Sequence, residues 1–264
     1  MVNAAISSAA FLGAPTSSIL KEARAAGITA VEWSSDHGVE AGDLDAAGRV
    51  MLDTLRAGLC NASYATLFRA GVHSVDRFKT LLATARALQA PYIRLWAAPK
   101  SDDVDADAAF FAEAARTLAN ISAESGVTLC FGLAQGSAMD SYERAVELMG
   151  AADHPFVKLC WEPLPGVSFD AAMEYFGQLK GRVGILCARS AGAVATNRLL
   201  RDKDEDWLLY LDAFDEQGGS PDMVRYVVIR AFKDGQLTNL ADDARLLRTW
   251  SVKLRRYYRR RLYF

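Results

Sequence analysis

Short apolar runs alternate along this chain with stretches whose apolar residues recur every three or four positions. Runs of about five apolar residues have the length of a buried strand, and the longer recurrence is that of a helix with one buried face. The clearest example is the stretch from Gly126 to Met149. An apolar run bounded by Gly126 and Gly132 passes into a small-residue loop and then a helix. Ala145, Leu148 and Met149 fall on one stripe of that helix, with Ser141, Glu143 and Arg144 on the other side.

The same unit recurs from end to end. Ala4–Ser7 precedes a helix over Ser18–Ala26 that Gly27 ends, and Ile28–Trp33 precedes a helix over Leu44–Ala57. Leu59–Tyr64 is followed by Ser74–Leu88, where Ser74 and Asp76 are good helix starters. Tyr92–Trp96 with Ala106–Ser125 comes before the Gly126–Met149 unit, and Val157–Trp161 with Phe169–Leu179 after it. Val183–Cys187 with Asp206–Phe214, and Val224–Ile229 with Leu237–Tyr258, complete the series. Strand starts recur roughly every 30 residues, and the strands read as continuous apolar runs, as in parallel sheets covered on both faces. Eight such units predict an α/β chain forming one domain over residues 1–264, a closed (β/α)8 TIM barrel. In that architecture chemistry sits at the C-terminal ends of the strands. The long connection Ser190–Glu205 is expected to lie over this mouth as a flap.

Composition narrows the picture. With 264 residues, 51% of them hydrophobic, the chain can build one large core. A formal charge of −2 argues against a nucleic-acid footprint. No apolar run approaches the ~18 residues of a membrane helix, and the N-terminus lacks a signal-peptide pattern, so no membrane partner is expected. Cys60, Cys130, Cys160 and Cys187 lie inside apolar runs, and no pair has CxxC spacing. They read as reduced thiols of a cytoplasmic protein rather than as a zinc or disulfide framework.

Several segments resemble the xylose-isomerase-like TIM barrels, the sugar-phosphate isomerase/epimerase superfamily that also contains a multi-metal type of AP endonuclease. The resemblance is carried by Ile28-Thr-Ala-Val-Glu-Trp33, by Asn61-Ala-Ser-Tyr64 with Arg69, and by Ala90-Pro-Tyr-Ile-Arg-Leu-Trp96. It continues through Thr128–Ala145, Asp153-His-Pro-Phe-Val-Lys-Leu-Cys-Trp-Glu-Pro163, Asp206-Trp207 and Tyr226-Val-Val-Ile-Arg-Ala-Phe-Lys-Asp-Gly235, and so covers nearly the whole chain. It implies a small sugar-like or anionic ligand at the mouth and, in the family, a divalent metal held by carboxylates and a histidine that polarises the sugar oxygens. Here the family's fifth-strand Glu corresponds to Gly132, and a frequent His two residues on corresponds to Ala134. Glu162 keeps an oxygen ligand on the sixth strand, Cys187 stands for the seventh-strand His and Arg230 for the eighth-strand Glu. A guanidinium has no lone pair for a metal and repels a cation, so no metal site and no cofactor are expected, with Arg230 taking the metal's place beside Glu162. The AP-endonuclease alternative fares worst, because it needs a metal cluster.

The candidate residues follow. Glu32, Glu162 and His37 are the candidate proton-transfer groups. Glu32 reads equally well as the partner of Arg94 in a buried salt bridge, and His37 reads more readily as a solvated loop residue beside Asp36. Arg94, Arg189 and Arg230, with Lys158, would make a cationic cluster for a phosphate or carboxylate if they face the mouth. Trp33 and Trp161 are candidate sugar platforms, as is Trp96, although core is the expectation for at least one of the three. Cys187 reads as a buried thiol rather than a nucleophile. The basic and aromatic Lys253–Phe264 segment reads as the end of the last helix, with Leu262, Tyr263 and Phe264 suggesting a homo-oligomer contact. These features predict an isomerase/epimerase-like protein, or alternatively a non-catalytic binding or regulatory pseudoenzyme of the same fold.

Overall fold

The computed structural model describes residues 2–11, 13–188, 204–216, 224–230 and 240–250. The eight strands are β1 Val2–Ser7, β2 Ala30–Ser34, β3 Cys60–Arg69, β4 Tyr92–Trp96, β5 Thr128–Gly132, β6 Val157–Trp161, β7 Val183–Ala188 and β8 Arg225–Ile229. All pair in parallel with their sequence neighbours, and β1 pairs β8 to close the barrel. The helices between them are α1 Thr16–Ala25, α2 Leu44–Arg56, α3 Val75–Ala87, α4 Val104–Ala123, α5 Tyr142–Ala152, α6 Phe169–Gln178 and α7 Asp204–Glu216, and the chain is helical again over 240–250. Side chains open most of these helices: Asp43, Ser74, Asp103, Ser141 and Ser168 each accept a hydrogen bond from a backbone N–H of the first turn.

Boundaries moved by one to two residues at most ends, but β3 runs five residues beyond the expected Tyr64. Its extension is pinned to β4 by non-local bonds: Thr66 Oγ1 donates to the Arg94 carbonyl at 2.8 Å, and Trp96 Nε1 donates to the Thr66 carbonyl at 2.8 Å. The Ser190–Glu205 flap lies outside the described residues up to the start of α7, as do Arg189 and the Lys253–Phe264 segment. Among the described residues, no helix is long and apolar enough to cross a membrane.

The core has two compartments. The larger lies between barrel and helices and holds the outward residues of every strand, among them Trp33, Tyr64, Phe131 and Trp161. The smaller fills the barrel axis with Ala5, Ala30, Tyr92, Cys130, Cys160, Ile185, Cys187, Tyr226 and Val228. The Tyr92 and Tyr226 rings meet edge to face 6.4 Å apart, and the Tyr92 hydroxyl donates to the Val224 carbonyl at 3.2 Å, which seals the N-terminal end. Two of the three register shifts in the barrel adjust the packing of the axis. Opposite β2 the shift turns both Ala62 and Ser63 of β3 inward. Opposite β6 the shift brings Gly184 inward ahead of Ile185, where an added Cβ would lie 3.0 Å from Lys158 Cβ and 3.1 Å from the Tyr92 ring.

Candidate functional site at the C-terminal mouth

Period-two alternation decides which side chains reach the axis. It turns Ser7 on β1, Glu32 on β2, Arg94 and Trp96 on β4, Gly132 on β5, Cys160 and Glu162 at β6, Cys187 on β7 and Arg230 just past β8 toward one space. Glu32 is fully buried. Arg94 approaches it with Nε 3.4 Å from Oε2 and Nη2 3.5 Å from Oε1, and Ser63 donates to Oε2 at 2.7 Å. Burial alone would raise the Glu32 pKa. The Arg94 charge foremost, then Arg230, Ser63 and Ser7, outweigh it and hold the carboxyl below its ordinary value. Glu32 is therefore an ionised partner of Arg94, already saturated by its neighbours.

Above that pair lies a second one. Arg230 Nη1 stands 3.6 Å from Glu162 Oε2 and 3.8 Å from Cys187 Sγ. Trp96 joins the two pairs, with the Arg94 guanidinium 5.1 Å and the Arg230 guanidinium 5.9 Å from its ring. The indole also explains Gly132, since a Cβ there would sit 2.8 Å from the Trp96 ring. Beside these groups opens a cavity of about 770 Å³, lined by Trp96, Glu162 and Arg230, by the apolar Leu133, Ala134, Leu164, Pro165 and Val167, and by the polar Ser7, Gln135, Asp140 and Ser141. This volume suits a small organic ligand.

Tyr142 fixes the Glu162 side of this cavity. Its ring stacks on Trp161 at 5.8 Å with an interplanar angle of 3°. Its hydroxyl donates to the Glu162 carbonyl and accepts from the Leu164 N–H, both at 2.9 Å. The turn after β6 is thus tied to α5, and sequence patterning gave no sign of this.

Glu162 and Arg230 meet at the mouth; Trp33, Trp161 and Lys158 do not. Trp33 is fully buried in the outer layer, where its Nε1 donates to Asn61 Oδ1 at 2.8 Å. Trp161 is packed there too, against Tyr142, Phe176 and Tyr210. Each neighbours a carboxylate in sequence, and adjacent strand residues point to opposite faces. Lys158 faces the axis, but at the other end, where Nζ donates to the Gly181 carbonyl at 2.8 Å. Arg94 is 4% exposed and committed to Glu32, so the expected arginine cluster reduces, among the described residues, to Arg230. His37 sits in the loop after β2 beside Asp36, with Nε2 3.8 Å from its carboxylate and outside the cavity lining. The platform that does reach the cavity is Trp96, which shares the parity of Arg94.

The Cys187 thiol touches Cys160, with the sulfurs 2.9 Å apart. Burial first, and then the Cys160 contact, push its pKa well above the ordinary value, and the Arg230 charge opposes this without reversing it. Cys130, Cys160 and Cys187 are buried and Cys60 is exposed. Titration of the native protein with a chromogenic disulfide reagent is expected to release one equivalent quickly and the other three only on denaturation. A second fast equivalent would contradict the closed packing around Cys187.

Comparison with known proteins places this geometry in context. Sequence comparison with curated proteins finds no match. Among solved structures, the probable 3-DHS dehydratase AsbF of Bacillus anthracis superposes with a TM-score of 0.74 at 14% identity, covering 93% of this chain and 98% of its own. D-psicose 3-epimerase of Clostridium cellulolyticum H10, solved with D-tagatose, gives 0.71 at 13% identity, covering 96% and 99%. An L-ribulose 3-epimerase gives 0.69 at 16%, covering 98% and 97%. At these identities the likeness carries the fold and leaves the substrate open. The model of the family described as xylose isomerase-like TIM barrel matches residues 20–184, well over half the chain. The chain belongs to the xylose isomerase-like TIM barrel family, whose fold its structural neighbours among the sugar epimerases share.

Proposed function

We propose that this protein binds a small polyhydroxylated or anionic ligand at the C-terminal mouth of its barrel without a divalent metal, as an isomerase/epimerase-like protein in which fixed charges take over the metal's electrostatic work. The observation that carries this reading is Arg230, a permanent cation seated against Glu162 at the position where the resemblance places a metal-ligating carboxylate.

The donor set does not fit a divalent cation. At the fifth-strand ligand position the Trp96 ring takes the space a side chain would need. The seventh-strand position offers a thiol held in its protonated form. Glu162 faces a guanidinium, and among the described residues no three His, Cys, Asp or Glu side chains gather as a metal site would require. In the catalytic version of the reading, Glu162 moves a proton on a ligand carbon while Arg230 stabilises the developing enediolate-like charge.

One observation favours the second reading, a non-catalytic binding or regulatory protein: Glu32, the other candidate base, is fully buried and saturated by Arg94 and Ser63. Calorimetric titration of chelator-treated protein with manganese, magnesium and zinc ions is expected to show no micromolar binding. Thermal-shift measurements with sugars, sugar phosphates and sugar acids are expected to show stabilisation by at least one class in the absence of metal. Micromolar metal binding would overturn the metal-free site. Deuterium wash-in from heavy water at a carbon of the bound ligand separates the two readings, since a non-catalytic protein exchanges none.

A further inference from the structure

We infer that the ligand of this mouth is a ring-sized monocarboxylate, its carboxylate gripped by the free edge of Arg230 and its ring laid against Trp96 and the apolar lining. This rests on the small-ligand reading above and narrows it to one chemical class.

The first support is the state of the guanidinium. Both of its polar contacts are made by Nη1, to Glu162 and to Cys187, which leaves Nε and Nη2 without a partner among the described residues. The side chain is 24% exposed and lines the cavity. Nε and Nη2 form one edge of the planar fork, the edge that takes two coplanar oxygens of a carboxylate in parallel hydrogen bonds.

The second support is charge. A phosphate dianion is normally held by several cations or by a helix N-terminus. Among the described residues, Arg94 is paired with Glu32, and the Arg230 charge is shared with Glu162 3.6 Å away. The N-terminus of α5 borders the cavity, and a carboxylate stands directly beside its positive dipole end. Asp140 precedes it with its carboxylate bound to Lys100 Nζ at 2.7 Å, and the Ser141 hydroxyl is occupied by the Arg144 N–H. Among the described residues the mouth thus offers one guanidinium edge beside a carboxylate, which suits a single negative charge.

The third support is shape. Leu133, Ala134, Leu164, Pro165 and Val167 line the same cavity as the Trp96 ring and give it apolar surface beside the polar Gln135, Asp140 and Ser141. An open-chain polyol would leave its hydroxyls against that apolar surface unpaired, at a cost. A ring with a C–H face covers it.

The test is calorimetry on the chelator-treated full chain with three probes that share one pyranose ring: D-glucose, D-glucuronate and D-glucose 6-phosphate. D-glucuronate is expected to bind most tightly, by about tenfold or more over the neutral sugar, as a charge-assisted hydrogen-bond pair requires. Arg230→Lys keeps the charge but not the fork, and is expected to remove that preference. Tighter binding of D-glucose 6-phosphate would overturn the carboxylate assignment and leave the small-ligand site standing. Equal affinity for D-glucose and D-glucuronate in the unmodified protein would overturn it even if the Arg230 variant failed to fold. Silence from all three probes would also overturn it, whereas silence across the whole thermal-shift panel would remove the small-ligand reading itself.

Discussion

Replacing Arg94 with Leu is expected to destabilise the protein by about 3–5 kcal/mol, the range for removing one partner of a buried ion pair. The loss comes less from the missing attraction than from what is left behind. Glu32 is fully buried, and without Arg94 its negative charge is answered by the Ser63 and Ser7 hydroxyls and the more distant Arg230 charge. Replacing Glu32 and Arg94 together with apolar residues is expected to recover most of the loss, because the desolvation cost of both charges disappears with them. The midpoint of urea denaturation at neutral pH reads this directly, and an unchanged midpoint in the single variant would show that the pair holds nothing together. The pH dependence has a definite sign. Glu32 has a folded pKa below its ordinary 4.5, so its stabilising contribution is fully present above that value. It drains away as pH falls from about 4.5 through the lower folded pKa, because the unfolded chain takes up the proton first.

The second large effect is expected at Gly132. Substitution by Ala places a Cβ 2.8 Å from the Trp96 ring and is expected to cost about 1–3 kcal/mol, as overpacking of a tight core does. Gly132→Glu, which introduces the carboxylate that the resemblance places at this position, is expected to cost more, since it adds a buried charge to the collision. Pairing Gly132→Ala with Trp96→Leu should relieve the clash, so the two changes are expected to be non-additive with a favourable coupling. Strict additivity in thermal unfolding would mean that the indole does not require the glycine.

Much of this architecture was legible in the sequence, because a parallel barrel writes its strands as apolar runs at nearly even spacing. Arg94 and Glu32 were legible as a possible pair, since both stand inside strands that can afford a charge only if it is matched. The two misplaced tryptophans show where local reading gives way. Glu32 with Trp33, and Glu162 with Trp161, cannot share a face, and alternation alone could have sent both indoles outward while keeping Trp96 with Arg94. Lys158 shows a different failure. It has the parity of Glu162 but sits four residues earlier on the strand, roughly 13 Å lower at 3.3 Å per residue, and parity carries no information about height. Gly132, the inward turn of Ala62 and Gly184, and the Tyr142 clamp depend on partners far away in sequence, so no window of the chain contains their cause.

The Tyr92 and Tyr226 rings pack into the filled axis toward the N-terminal end, so among the described residues the barrel is a blind well for a ligand at Arg230. Arrival and departure then share one opening. Any change at the rim that narrows this opening slows entry and escape by the same factor, so residence time can be tuned over a wide range while the equilibrium affinity, set at the floor, stays where the floor puts it.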